Sequence, residues 1–223
     1  MTKRRVFLFT GISVLLIAAI VTGFLFWKSS TNEGGKVRIT RSSAEWAFDV
    51  YDPELVAFCA SYMFVGFVQE ELETVYGDSM IPDTKYSVIN ISNIKGNLKL
   101  NEKIEILKEG GKSQWDSKHI MLMEDDILPE VGKAYIFIAA AEVKDSDIKG
   151  LRVASPTQCI PITSADITTK SSAKEITQTK EYQTYLEAYK NERDPGIYMY
   201  EQIPSIYEDA NEVDALGRRA NVK

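Results

Sequence analysis

The stretch YMFVGFVQEEL, residues 62–72, is the longest strand signal in the chain. Aromatic and β-branched residues fill its first half, which predicts a strand, and Gly66 inside it marks a bend, a bulge or a close backbone approach. Four more strand signals follow at 86–94 (YSVINISNI), 103–108 (KIEILK), 134–143 and 150–154 (GLRVA). Turn signals at Lys95-Gly96-Asn97 and Gly110-Gly111, and a long polar loop, divide them. Five strands divided by turns predict a mainly β fold, a small barrel or a sandwich with flanking helices, and the long, bent first strand favours the OB-type barrel.

Upstream of this strand, Asp52 as N-cap with Pro53 at the first helical position predicts a short helix. After the strands, 171–192 (SSAKEITQTKEYQTYLEAYKNE) predicts one helix, opened by a Ser172/Glu175 capping-box pattern and stopped by Asp194-Pro195-Gly196. Tyr182, Tyr185, Leu186 and Tyr189 share one face of it. That face is a candidate partner surface, although packing on the barrel is the commoner use of such a stripe. The tail, 194–223, is acidic and contains Tyr198, Tyr200 and Tyr207 without periodicity. A strap laid across the domain and a disordered end are both open.

At the other end, residues 6–27 (VFLFTGISVLLIAAIVTGFLFW) carry no charge. As a helix they would extend about 33 Å, against a bilayer core of roughly 30 Å, so they are expected to be a transmembrane helix. Lys3, Arg4 and Arg5 precede the span, which predicts a single-pass protein with residues 1–5 cytoplasmic and the rest outside. The run exceeds a usual signal-peptide core and ends in Phe24-Leu25-Phe26-Trp27, not in a small-x-small cleavage site. An uncleaved anchor is therefore preferred to a signal peptide. The remaining plan is a tether at 28–45, a barrel domain at 46–165 and the helix at 166–193.

The whole chain has a formal charge of −6. Beyond residue 30 it holds 22 Lys and Arg against 32 Asp and Glu, a formal −10. Such acidity is a poor match for nucleic acid or an anionic membrane surface. Two cysteines, Cys59 and Cys159, are compatible with one disulfide in an oxidising compartment or with two separate buried thiols.

Catalytic and metal signals are weak. Glu124-Asp125-Asp126 lacks the alternating spacing that aims carboxylates at one cation, which leaves it a weak candidate metal site and more simply a solvated loop. His119 is the only histidine, in a polar loop with no GxSxG or HExxH around it, and no phosphate-cradling glycine motif occurs. No cofactor and no catalytic group are expected. Asn90-Ile91-Ser92 matches a glycosylation sequon but lies in a predicted strand, and it is assigned no role.

The chain resembles the netrin-like OB-fold module of tissue inhibitors of metalloproteinases and of uncharacterised Gram-positive cell-surface proteins. The residues that carry the resemblance are Ala57–Gly66 (AFCASYMFVG), Tyr86-Ser87-Val88 with Ile94-Lys95-Gly96, Leu128–Phe137 (LPEVGKAYIF) and Cys159. It covers roughly residues 52–192. The resemblance implies a Cys59 to Cys159 disulfide tying the segment before the first strand to the segment after the fifth. It also implies that the acids at 124–126 sit on a loop with no chemistry. The N-terminal cysteine on which metalloproteinase inhibition depends has no counterpart here, so that activity is not implied. The expected function is a non-catalytic, membrane-anchored protein-binding module of the bacterial cell envelope, with another envelope or extracellular protein as partner. The alternatives are an assembly subunit of a membrane complex, or a secreted protein if the N-terminal segment is cleaved.

Overall fold

The computed structural model describes residues 36–144, 147–154, 156–197 and 204–219. The expected span at 6–27 and its basic flank lie outside the described residues. Among those described, no helix is long and apolar enough to cross a membrane. In chain order the elements are β1 (Arg38–Ser42), α1 (Pro53–Cys59), β2 (Tyr62–Val75), β3 (Asp83–Lys95), β4 (Lys103–Glu109), β5 (Gly111–Lys112), β6 (His119–Met123), β7 (Ala134–Lys144), β8 (Asp147–Val153), β9 (Cys159–Pro161), α2 (Ala173–Thr177) and α3 (Lys180–Lys190).

β2 is the seam of the molecule. It pairs antiparallel with β3 along its length and with β7 over its first half, Tyr62 to Phe67. β3 continues to β4, β4 runs parallel to β8, and β8 returns to β7, so five strands close into a barrel of order β2-β3-β4-β8-β7. This closed barrel is compatible with an OB-type fold. β9 extends β7 at the rim, and a separate small sheet, β1-β6-β5, forms beside the barrel.

Strand alternation sorts the apolar residues of β2 into two layers. Tyr62, Phe64 and Val68 point inward with Tyr86, Val88, Ile104, Ile106, Phe137, Leu151 and Val153. Met63 and Val65 point outward and are covered by Val56 and Ala57 of α1, Ile176 of α2, and Tyr182 and Tyr189 of α3. Both faces of early β2 are buried for that reason, and the strand becomes exposed from Gln69 to Glu73. Gly66 takes an inward position where a Cβ would come within 2.8 Å of the Phe137 ring. The β2–β3 register shifts at Val65/Gly66, so the predicted bend is present there.

The local signals around the barrel are realised with adjustments. Asp52 caps α1 by accepting from the Glu54 and Leu55 amides. The capping box of Ser172 and Glu175 is formed. The helix expected over 171–192 is two helices, because Thr179 interrupts it as the N-cap of α3, accepting from the Tyr182 amide while its hydroxyl donates to the Ile176 carbonyl. Arg193 then reaches back to Asp52 and Glu54, joining the end of α3 to the start of α1. Residues 204–219 of the tail lie across the domain: the Lys99 amide donates to Tyr207 O, the Asp209 amide to Asn97 O, and the Ser205 amide to the Tyr62 hydroxyl. Tyr198 and Tyr200 lie outside the described residues.

The disulfide expectation is overturned: Cys59 and Cys159 are both free. Cys59 ends α1 on the outer layer, while Cys159 faces Phe137 in the register of β7 and β9 and packs in the barrel interior. The wall made by β2 and β7 stands between them. Asn90 of the sequon is likewise inside, its amide donating to Asn93 Oδ1 and to the Leu98 and Lys99 carbonyls.

Candidate functional site

The sequence-predicted candidates are scattered. Tyr182 and Tyr189 are buried at 3% and 4% exposure, and Tyr185 packs half-buried against the same outer layer. This face of α3 therefore covers the barrel and presents no tyrosine-rich surface. Tyr189 additionally donates its hydroxyl to Asp214, and Arg218 lies 4.0 Å over its ring, which fastens the tail to the helix.

The three adjacent acids divide. Glu124 and Asp125 are exposed, and Asp125 takes a left-handed φ of 58° and accepts from the Tyr51 hydroxyl. Asp126 is the correction: it is fully buried, and its Oδ2 lies 2.5 Å from the Nζ of an equally buried Lys108. Its other oxygen accepts from the Ile127 amide at 2.8 Å. Burial pushes the Asp126 carboxyl upward in spite of Lys108, and it pushes the Glu109 carboxyl up as well. Cys159 is close enough to feel both charges, and burial raises its thiol to about 12, so it stays protonated. Among the described residues, no three His, Cys, Asp or Glu side chains converge as a metal site would require.

His119 opens β6, not a free loop, because β1 pairs alongside it in parallel with Arg38 opposite His119. Its Nε2 meets the Thr40 hydroxyl at 2.7 Å. Nucleophilic catalysis by such a pair needs a third group to orient the ring. The nearby Asp116 carboxylate has both oxygens engaged, one by the Lys118 amide and one by Arg38 at 2.8 Å. Those contacts hold Asp116 below the usual carboxylate range, the Lys118 amide contributing most.

Around this cluster lies a groove of about 510 Å³. One wall is the β2–β3 connection with Tyr76, Met80 and Pro82; the other is the segment before β6, with Ser113, Trp115 and Asp116, closed by Met121 and Arg38. Trp115 is 78% exposed, Met80 84% and Tyr76 49%. Three large apolar side chains in solvent around one concavity, edged by an ion pair and a histidine, make a surface suited to an apolar anchor with polar contacts at its rim. Sequence reading missed it because its walls are 35 residues apart and neither is periodic. Its signals were the large apolar residues Tyr76, Met80 and Trp115 in connecting loops.

A second concavity of about 680 Å³ lies where the small sheet meets the barrel rim, with Ile39, Ile120, Leu122, Ile162 and Ile167 among its walls and Arg41, Glu130, Lys133 and Asp166 around it. Arg41 and Lys133 are both engaged, the first with the Met123 and Asp126 carbonyls and the second with Glu130. No protein-family model matches the chain, and no curated protein matches it.

Proposed function

We propose that this chain is a non-catalytic protein-binding module, held at the outer face of a bacterial membrane by residues 6–27, and that it binds another envelope or extracellular protein. The observation that carries the binding role is the groove with Trp115, Met80 and Tyr76 at its mouth, because soluble surfaces seldom leave three large apolar groups around one concavity without a partner. The charge-free N-terminal run supports the anchor. A netrin-like barrel is the finer reading of the fold, supported by the strand order and by helices packed outside β2 and β7. The two free cysteines contribute nothing to it.

Crosslinking and capture from intact membranes, with the domain from residue 37 onward as bait beside the full-length chain, tests the proposal. A binding module keeps its partner in both forms, whereas an assembly subunit that works through its span loses it in the shorter one. Replacing Trp115 and Met80 with Ala should weaken capture about tenfold or more, the scale of interface hot spots. Undiminished capture by that double variant would remove the groove as the binding surface.

A further inference from the structure

We propose that Lys108 and Asp126 become joined by an isopeptide bond inside the folded barrel. The two side chains have no exposed surface, and Nζ lies 2.5 Å from Oδ2. Both partners are held firmly. Lys108 sits on β4 between Thr84 of β3 and Val153 of β8, facing inward with Ile104 and Ile106. Asp126 closes a turn in which its amide donates to the Met123 carbonyl and Arg41 donates to the Met123 and Asp126 carbonyls. Such fixed proximity gives an intramolecular reaction a large effective concentration.

The contacts also assign each atom a role. Nζ donates to the Glu109 carbonyl at 2.8 Å, which fixes its approach to Asp126. Oδ1 accepts from the Ile127 amide at 2.8 Å, the arrangement that stabilises negative charge on an oxygen during attack at Cγ. In a dry site, moving one proton from the ammonium to the carboxylate removes two buried charges and leaves a nucleophilic amine against a carboxylic acid. Burial pushes the Asp126 carboxyl in that direction. Nζ then attacks Cγ, the Nζ–Cγ bond forms and the Cγ–Oδ2 bond breaks. Oδ2 departs as water with two of the three ammonium hydrogens, the third stays on the amide nitrogen, and Oδ1 remains as the carbonyl. The step balances without oxidant, reductant or co-reactant. Its product is a neutral amide in place of a buried ion pair, an exchange that removes the desolvation burden of both charges. The crosslink would close a covalent loop over residues 109–125, the segment that carries Trp115, Asp116 and His119 of the groove.

The test is the mass of the full-length chain, denatured and reduced, followed by digestion. The proposal expects a chain lighter by one water, a branched peptide containing Lys108 and Asp126, and fragments that stay joined in denaturant after cleavage at Lys112 or Lys118. Labelling of lysine amines in the unfolded protein should miss Lys108 alone. Lys108→Ala and Asp126→Ala should each restore the full mass. If these variants fail to fold, the unsubstituted chain still decides: a full sequence mass, with Lys108 recovered in a linear, amine-labelled peptide, overturns the bond.

Discussion

The barrel and the small sheet beside it are built from the same chain in opposite ways. In the barrel, the first half of β2 and its neighbour β7 bury both faces, one against the interior and one against three helices. In the small sheet, β1 joins β6 across about eighty residues of sequence, keeps nearly all its side chains exposed, and borders the groove. Burial imposes a strict side-chain alternation that rejects most substitutions, while the exposed sheet only has to present a surface. Substitutions should therefore cost stability in the barrel and leave it nearly unchanged around the groove.

The largest effect is expected at the buried Lys108–Asp126 pair. In chains whose Lys108–Asp126 bond has not formed, Asp126→Ala leaves Lys108 buried without its partner, and breaking a buried pair in this way costs about 3–5 kcal/mol. Urea unfolding should show it, and replacing both residues with apolar ones of similar size should recover much of the loss. A single substitution that costs under about 1 kcal/mol would mean that water reaches the pair.

That pair also shows what the sequence conceals. In KIEILK, Ile104, Ile106 and Lys108 fall on one strand face, so a lysine at a core position was visible in the alternation. Its partner was not, because Asp126 stands among three adjacent acids and nothing local separates the buried one from the two exposed. The five barrel strands were legible from their apolar runs, as were Gly66 and the caps at Asp52 and Ser172. β1, β5, β6 and β9 were not, since short strands are defined by a distant partner more than by their own residues. Thr179 was hidden in a helical pattern that continues through it. The Cys59 to Cys159 disulfide that the resemblance implied is not formed, and nothing local in the sequence tells that Cys159 packs inside the barrel while Cys59 ends α1 outside it.

Within the barrel, the next effect belongs to the bend in β2. Gly66→Ala places a methyl group within 2.8 Å of the Phe137 ring, and overpacking of that kind costs about 1–3 kcal/mol. Thr179→Ala, at the break between α2 and α3, removes a cap that also satisfies the Ile176 carbonyl, with about 0.5–2 kcal/mol expected. Both are read as lower urea midpoints at unchanged slope. If Thr179→Ala were neutral while Gly66→Ala remained costly, the outer layer would matter less to stability than the interior.

A smaller effect has a defined pH window. Burial pushes the Glu181 carboxyl up, but hydrogen bonds from Ser164 and Thr163 outweigh it and bring the group down from 4.5 to about 2. A carboxyl whose folded value is depressed contributes stability that is present above 4.5 and lost as pH falls toward about 2. Glu181→Gln should therefore lower stability slightly at neutral pH and flatten this part of the acid unfolding limb. An unchanged acid limb would place the loop at 163–164 free of α3 in solution.

The smallest effect on stability, and the sharpest test of the contrast, is expected at Trp115. Its side chain is 78% exposed and lies in the loop ahead of β6, so truncation removes little buried area and should shift unfolding by no more than about 0.5 kcal/mol. A residue kept only for folding would not behave so, because a large aromatic group earns its place in a core through the area it buries. If Trp115→Ala leaves the urea midpoint in place and still weakens capture of the proposed envelope or extracellular partner, folding and binding are carried by separate regions of one domain. If it lowers the midpoint by 2 kcal/mol or more, a scale known from core truncations, the indole packs against the domain in solution and the groove is closed. In that case the small sheet would follow the same rule as the barrel, and the binding surface would have to be sought elsewhere on the molecule.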